Sequence, residues 1–357
     1  MYRDACIAAR VMLARRARTS MNLTAAIVIL VLLLLGPLAV HFIEENIEVY
    51  VFLIGIVATL IGGGFTGHLL KKAAEEPILI TLAVIAAGVV FGFARGRLDE
   101  LFAVLRDRVS RPVLAAISIF VLAVLSSVIT AIIAALVLVE MIGLLHLQGE
   151  ARIRVTIAAC FAIGLGAALT PIGEPLSALA ATALNLHFMG LFDLLAPWIL
   201  PGVAAASILA GYFARGDYHA TPAGPHVREN SLAAIMQGIK VYVFVAGLVL
   251  VSDAYGPVAA RFVDSISNDA LFWLNTVSAA LDNATLVALE VHNMTLARAR
   301  EAIIALLVSG GMLIPGNIPN IVSAGTLKIG SAAWARIGIP IGLVGLGIYF
   351  ALLKVLA

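Results

Sequence analysis

The chain has 357 residues, 62% of them hydrophobic and only 12% charged, with a formal net charge of +2 and a mean hydropathy of +1.07. These values lie far outside those of a soluble domain. The small net charge, with arginines in loops and no interleaved aromatics, excludes a nucleic-acid binder. An all-α polytopic membrane protein is predicted.

The arm at residues 1–22 carries Arg3, Arg10, Arg15, Arg16 and Arg18. The apolar run that follows is of spanning length, without a small-residue cleavage site, so an uncleaved first helix is expected, with Met21 an alternative start. Plain spanning helices, each able to cross a core of ~30 Å, are predicted near 23–43, 47–63, 78–94, 196–213, 231–251 and 334–354. The segment around 112–145 is too long for one straight crossing and too short for two, and its middle reads Ser126-Ser127-Val128-Ile129-Thr130. A re-entrant hairpin with a small polar tip fits it.

Residues 152–187 are apolar but broken at Pro171-Ile172-Gly173-Glu174-Pro175. Proline removes a backbone donor and clashes with the preceding turn, which predicts a helix, an unwound linker and a second half-helix. The plan then recurs. A hairpin is expected at 269–294, interrupted at Leu281-Asp282-Asn283-Ala284-Thr285, and a broken helix at 297–328, interrupted at Pro315-Gly316-Asn317-Ile318-Pro319. The two proline breaks are in register at a spacing of 144 residues. Unwound backbone survives in hydrocarbon only where it lines a protein cavity, and breaks in corresponding halves point to a transporter's substrate site.

Two repeats follow, 47–187 and 188–328, with 47–63 matching 197–213 and 78–94 matching 231–251. Each makes three crossings, and an odd number inverts the second copy relative to the first. The helix within 23–46 and the segment 329–357 lie outside the repeats. Lys and Arg divide evenly between the two sides, so the positive-inside rule does not orient the chain. A multi-pass protein of the cell (inner) membrane is expected.

The hairpin tips SSVITAIIAAL and SAALDNATLVAL, with the linkers LTPIGEPLSALAATALN and LIPGNIPNIVSAG, resemble those of the ion transporter superfamily, which includes sodium/proton antiporters, arsenite carriers and dicarboxylate carriers. The likeness spans roughly residues 47–328 and is nearest to a poorly characterised prokaryotic branch of cation transporters. The resemblance implies an elevator mechanism in a homodimer, hairpins and broken helices carrying the ion across a scaffold. It matches Ser126, Ser127 and Thr130 to the first tip, and Ser278, Asp282 and Asn283 to the second. Thr170, Gly173, Glu174, Asn317 and Asn320 fall in the linkers. Dicarboxylate carriers use Ser-Asn-Thr tips. Here the first tip lacks Asn and the second carries an acid, which favours a cation.

The chemistry agrees with that direction. A dehydrated sodium ion wants several oxygen ligands, which unwound carbonyls, Thr170, Asn317, Asn320 and Ser323 can supply. An acid at bilayer depth costs roughly 2.5 to 3.5 kcal/mol on insertion scales, so Asp282, Glu174, Glu140 and Glu290 each need a cation or a proton, and a group that takes either one can exchange them. Asp282 is the expected coupling carboxylate, with Glu174 beside it. Simpler readings stand alongside: Asp282 and Asn283 suit a helix cap, Glu174 before Pro175 suits another, and Glu140 and Glu290 suit a place near the membrane surface. Lys240 reads as a snorkelling side chain or an internal counter-ion. Cys6 and Cys160 give no disulfide framework, no HExxH or CxxC occurs, and no resident metal or cofactor is expected. Cys160, His187 and His292 read as packing or interfacial residues.

The expected function is secondary transport of a monovalent cation, sodium in exchange for protons, with no enzymatic activity. The alternative is a sodium-coupled carrier of a small anion. A channel, or an intramembrane hydrolase for which no GxSxG motif is present, are further alternatives.

Overall fold

The computed structural model describes residues 21–40, 42–43, 46–78, 81–82, 85–86, 108–215, 231–263, 266–276, 283–291 and 294–356. Every regular element among them is helical. In chain order these are α1 (Leu23–Ala39), α2 (Ile47–Ile61), α3 (Arg111–Ile129), α4 (Ala131–Leu144), α5 (Gly149–Ala167), α6 (Pro175–Ala183), α7 (Gly190–Phe213), α8 (Ser231–Val263), α9 (Asn268–Leu274), α10 (Asn283–Glu290), α11 (Leu296–Gly310), α12 (Ile318–Leu327) and α13 (Ser331–Leu356). Residues 67–78 are also helical. Local chemistry sets several starts: the side chains of Asn22, Ser267 and Thr295 accept from backbone N–H groups in the first turns of α1, α9 and α11. Proline in the first turn opens α3, α6 and α12, where its missing N–H is not needed.

Among the described residues four helices are long and apolar enough to cross a membrane: Arg111–Ile129, Gly190–Phe213, Gly238–Tyr255 and Ser331–Leu356. Three expectations of plain spans change. α1 has 17 residues and α2 has 15, and at 1.5 Å per residue α2 covers about 22 Å, short of a hydrocarbon core. α8 runs on past the expected 231–251 to Val263. The span expected at 78–94 lies largely outside the described residues. The first limb of the first hairpin, α3, has 19 residues and is itself of spanning length, whereas α4 has 14.

One set of helices is built on α2 against α8. Gly55 and Gly247 let the two backbones touch: a Cβ on Gly55 would meet Gly247 O at 2.7 Å, and one on Gly247 would meet Phe52 N at 2.6 Å. Close approach through small residues is how helices associate where no water drives them together. Lys240 reaches Glu48 across this pair at 2.7 Å, which gives the lysine a fixed partner. Tyr50 donates to Leu32 O and Tyr255 to Ala26 O, tying α1 to α2 and α8.

The other set surrounds the first halves of the two broken helices. Every residue of α5 from Val155 to Ala167 is buried, as is every residue of α11 from Ala302 to Gly310. α7 packs on α3 and α5, and α13 packs on α11. The short second halves are exchanged: α12 packs on α4, and α6 packs on α10. Each end of this set carries cations beside aromatics. At one end Arg154 and Arg336 both reach Glu150, and Arg154 lies 5.8 Å from the Phe213 ring. At the other, Lys354 pairs with Asp269, and Arg300 lies 4.8 Å from the Trp198 ring, near the Phe272, Trp273 and Phe350 cluster. Aromatic and basic side chains gather where a bilayer meets water.

Candidate functional site

The first break follows α5. Ala168 and Leu169 close its last turn, and the chain then runs through Thr170, Gly173 and Glu174 before Pro175 opens α6. The tip of the first hairpin is pinned here: Ala131 N donates to Gly173 O at 2.8 Å, and the Thr170 hydroxyl donates to Ser127 O. Gly173 has no room for a side chain, because a Cβ would fall on Ala167 O. At the tip itself Thr130 takes φ 78° and ψ 149°, a region that a β-branched residue occupies only at a cost of order 1–3 kcal/mol. That turn lets α3 end and α4 begin with a single residue between them. Ser126 Oγ lies 2.6 Å from Ala123 O and 3.2 Å from Ile163 O, so its one proton is shared between its own helix and α5. Ser127 donates to Val124 O at 2.7 Å. These hydroxyls commit their protons to carbonyls, and Thr170 Oγ1 also accepts from Ile172 N at 3.3 Å.

The second break follows α11 through a 3₁₀ turn, Ile314–Gly316, before α12. Asn320 is fully buried, and its amide donates to Gly310 O at 2.7 Å and Leu313 O at 2.8 Å. Asn283 donates to Leu306 O at 3.0 Å. Asn275 lies 3.5 Å from Ala302 O and donates to Glu290 Oε2 at 2.9 Å. Carbonyls 302, 306 and 310 are spaced by four and lie along one face of α11, so three asparagines from three elements line that face. The Oδ1 atoms of Asn283 and Asn320 are buried and have no hydrogen-bond partner among the described residues. An unmatched buried acceptor costs about 1–3 kcal/mol, which makes the pair a conspicuous expense unless something meets it.

Glycines bring the two breaks together. The Asn317 amide lies where a Cβ on Gly164 of α5 would stand, and the Asn283 amide lies where one on Gly310 would stand. The Cys160 thiol of α5 reaches Ser323 of α12 at 3.5 Å, so the buried cysteine is a packing residue between the halves. Ser126, Ser127, Thr130, Thr170 and Gly173 thus form one group, while Asn283 and Asn320 form another along α11. Asn317 joins them across α5. Ser278, Asp282 and His292 lie outside the described residues.

Two simpler readings of the acids are corrected. Glu174 occupies the position before α6 and is buried, but its side chain makes no capping hydrogen bond. Glu290 is 4% exposed and held by Asn275, not placed where it needs no partner. The sequence reading also missed Asn275. Its signal was present as an amide in an otherwise apolar hairpin limb, Leu271-Phe272-Trp273-Leu274-Asn275. His187 is exposed and 3.8 Å from Asp193. No group of three or more His, Cys, Asp or Glu able to hold a metal occurs among the described residues. The polar side chains gathered at the breaks are amides, hydroxyls and carboxylates, a hard-oxygen set suited to a small cation.

No curated protein matches the sequence. A family model described as a protein of unknown function (DUF1646) matches residues 23–356, nearly the whole chain, and the protein belongs to that family.

Proposed function

We propose that the protein is a secondary transporter of a monovalent cation, exchanging sodium for protons in the cell membrane. The observation that carries this reading is the pair of buried amide oxygens, Asn283 Oδ1 and Asn320 Oδ1, left without donors among the described residues beside the end of α11. A half-helix carboxyl end gathers carbonyl oxygens, and a sodium ion placed among them would satisfy these acceptors. The serines and Thr170 of the first break contribute lone pairs from the other side.

Proton exchange requires a carboxylate that can lose its counter-ion. Asp282, next in sequence to Asn283, is the first candidate and Glu174 the second. Glu290, two turns along α10 from Asn283, joins them because it is buried and held by the neutral Asn275 amide, which suits a group that alternates between proton and charge. The exchange of α6 and α12 between halves supports an inverted repeat, since the second limb of each hairpin packs on the other half's short half-helix. A block so interlocked can travel as one body against the α2 and α8 pair, the elevator movement, and a homodimer would hold the scaffold still.

Proteoliposomes carrying an imposed pH gradient test this. Sodium is expected to dissipate the gradient in a saturable way while choline does not, and Asn283→Ala, Asp282→Asn and Glu174→Gln are each expected to weaken the response. A gradient indifferent to sodium in the wild type would overturn the reading. Flux of a small carboxylate driven by sodium would replace it with the anion carrier.

A further inference from the structure

A groove of about 580 Å³ runs along the second set of helices. Its walls are α7 and α13, its floor Phe161 and Leu165 of α5 with Val308 of α11, and every lining side chain is apolar or aromatic. The hydroxyl of Tyr349 is already used, donating to Trp198 O at 3.0 Å. The groove has a direction. Leu209 and Ile341 lie toward the end that carries Arg154 and Arg336, while Trp198 and Leu352 lie toward the end that carries Lys354 and Asp269.

At that second end stands a cation without an ion-pair partner among the described residues. The Arg300 guanidinium is 4.8 Å from the centre of the Trp198 ring, and Trp198 lines the groove. Its Nε is buried without a hydrogen-bond partner, and the side chain forms no ion pair among the described residues. Arg300 is in the second turn of α11, about 7 Å from that helix's start and so at headgroup level. Arg300 does not itself line the groove but stands against the Trp198 ring that does, and an apolar trough with a guanidinium beside its end has the charge pattern of an anionic amphiphile; basic pockets between membrane helices hold lipid phosphates.

From this we infer that the groove binds an anionic phospholipid, one acyl chain lying between α7 and α13 and the phosphate meeting the Arg300 guanidinium. The inference needs only that the chain lies in a bilayer, and it stands whether or not sodium is the cargo. The phosphate would meet the guanidinium beside the groove's edge, where the guanidinium carbon lies 4.8 Å from the centre of the Trp198 ring. The chain would fill the trough that α7 and α13 leave open.

The test uses the full-length protein in detergent, stripped of lipid and titrated with phosphatidylglycerol or phosphatidylcholine. Native mass spectrometry counts bound lipid, and brominated chains quench tryptophan. Phosphatidylglycerol is expected to bind saturably and on the order of fivefold more tightly than phosphatidylcholine. Arg300→Gln is expected to remove that preference, and Arg300→Lys to keep most of it. Ala205→Phe, at an exposed groove position, is expected to abolish binding of both lipids with no change in melting temperature. Val344→Trp, also exposed, provides a second blocked groove. Equal affinity for the two lipids in the wild type would overturn the inference. So would unchanged lipid binding in both blocked variants. Loss of a dimer in those variants with lipid binding intact would assign the groove to a second copy of the chain instead.

Discussion

The two unwound breaks share a backbone plan and differ in their side-chain chemistry. Around the first, the tip is stapled to the linker by a backbone bond from Ala131 to Gly173, and three hydroxyls give their protons to nearby carbonyls. Around the second, the polar groups are amides that donate to α11 and leave oxygens behind. A hydroxyl can rotate to suit a neighbour, whereas a planar amide held at its nitrogen fixes its oxygen in place. The first break is therefore organised for cohesion and the second for presenting acceptors, so one plan of chain breaks can divide structure and ligation between its copies.

Substitutions can break that contrast. The largest effect is expected from Asn320→Ala, which strands Gly310 O and Leu313 O in a buried place. A loss of about 2–4 kcal/mol should appear as a lower melting temperature in detergent, together with loss of sodium-driven proton movement. Gly164→Ala and Gly310→Ala follow, because a methyl there displaces the amide of Asn317 or Asn283. Each is expected to cost about 1–3 kcal/mol and to raise the sodium concentration for half-maximal transport. Gly143→Ala, whose added carbon meets nothing within 4 Å, is the control. Ser126→Ala should cost about 1 kcal/mol, seen in melting, with a smaller change in sodium dependence than either glycine variant. If Ser126→Ala shifts sodium dependence more than Gly310→Ala, the division of roles is wrong. The smallest net effect is expected for Thr130→Gly, where relief of the positive φ offsets the lost cap to Ile133 N; Thr130→Val keeps the cost and loses the cap, so it should melt earlier than either.

Much of this arrangement was legible in the sequence, for reasons that stay local. Proline pairs that enclose a glycine, 171 with 175 and 315 with 319, break their helices, whereas Pro197 and Pro201 sit inside α7 and Pro340 inside α13, and a run of small polar residues such as Ser126-Ser127 in hydrocarbon marks a turn or a site. Helix ends were less legible. Nothing at 251 stops α8, and the length of α2 depends on where Gly62-Gly63-Gly64 takes over from Ile61. Partner choice was not legible at all. That Asn320 returns to Gly310 and Leu313 follows from how α12 packs on the 3₁₀ turn, that Glu290 meets Asn275 follows from how α9 and α10 pack on α11, and one chain's spacing carries no record of either. The groove was hidden for the same reason: its walls are ordinary spanning helices, and only their separation makes a site.

The exchange of α6 and α12 between halves bears on how the chain is made. When α4 emerges from the ribosome, the helix that will cover it, Ile318–Leu327, has not yet been synthesised. Ile132, Ala135 and Leu136, which pack with Val322 of that helix in the finished protein, must meanwhile wait against lipid or insertion machinery. Contacts this far apart in sequence form late. A chain arrested before Ile318 should therefore be cut in α4 by a protease that spares the complete protein, and the first half, for all its resemblance to a finished unit, matures only when the last of its sister is in place.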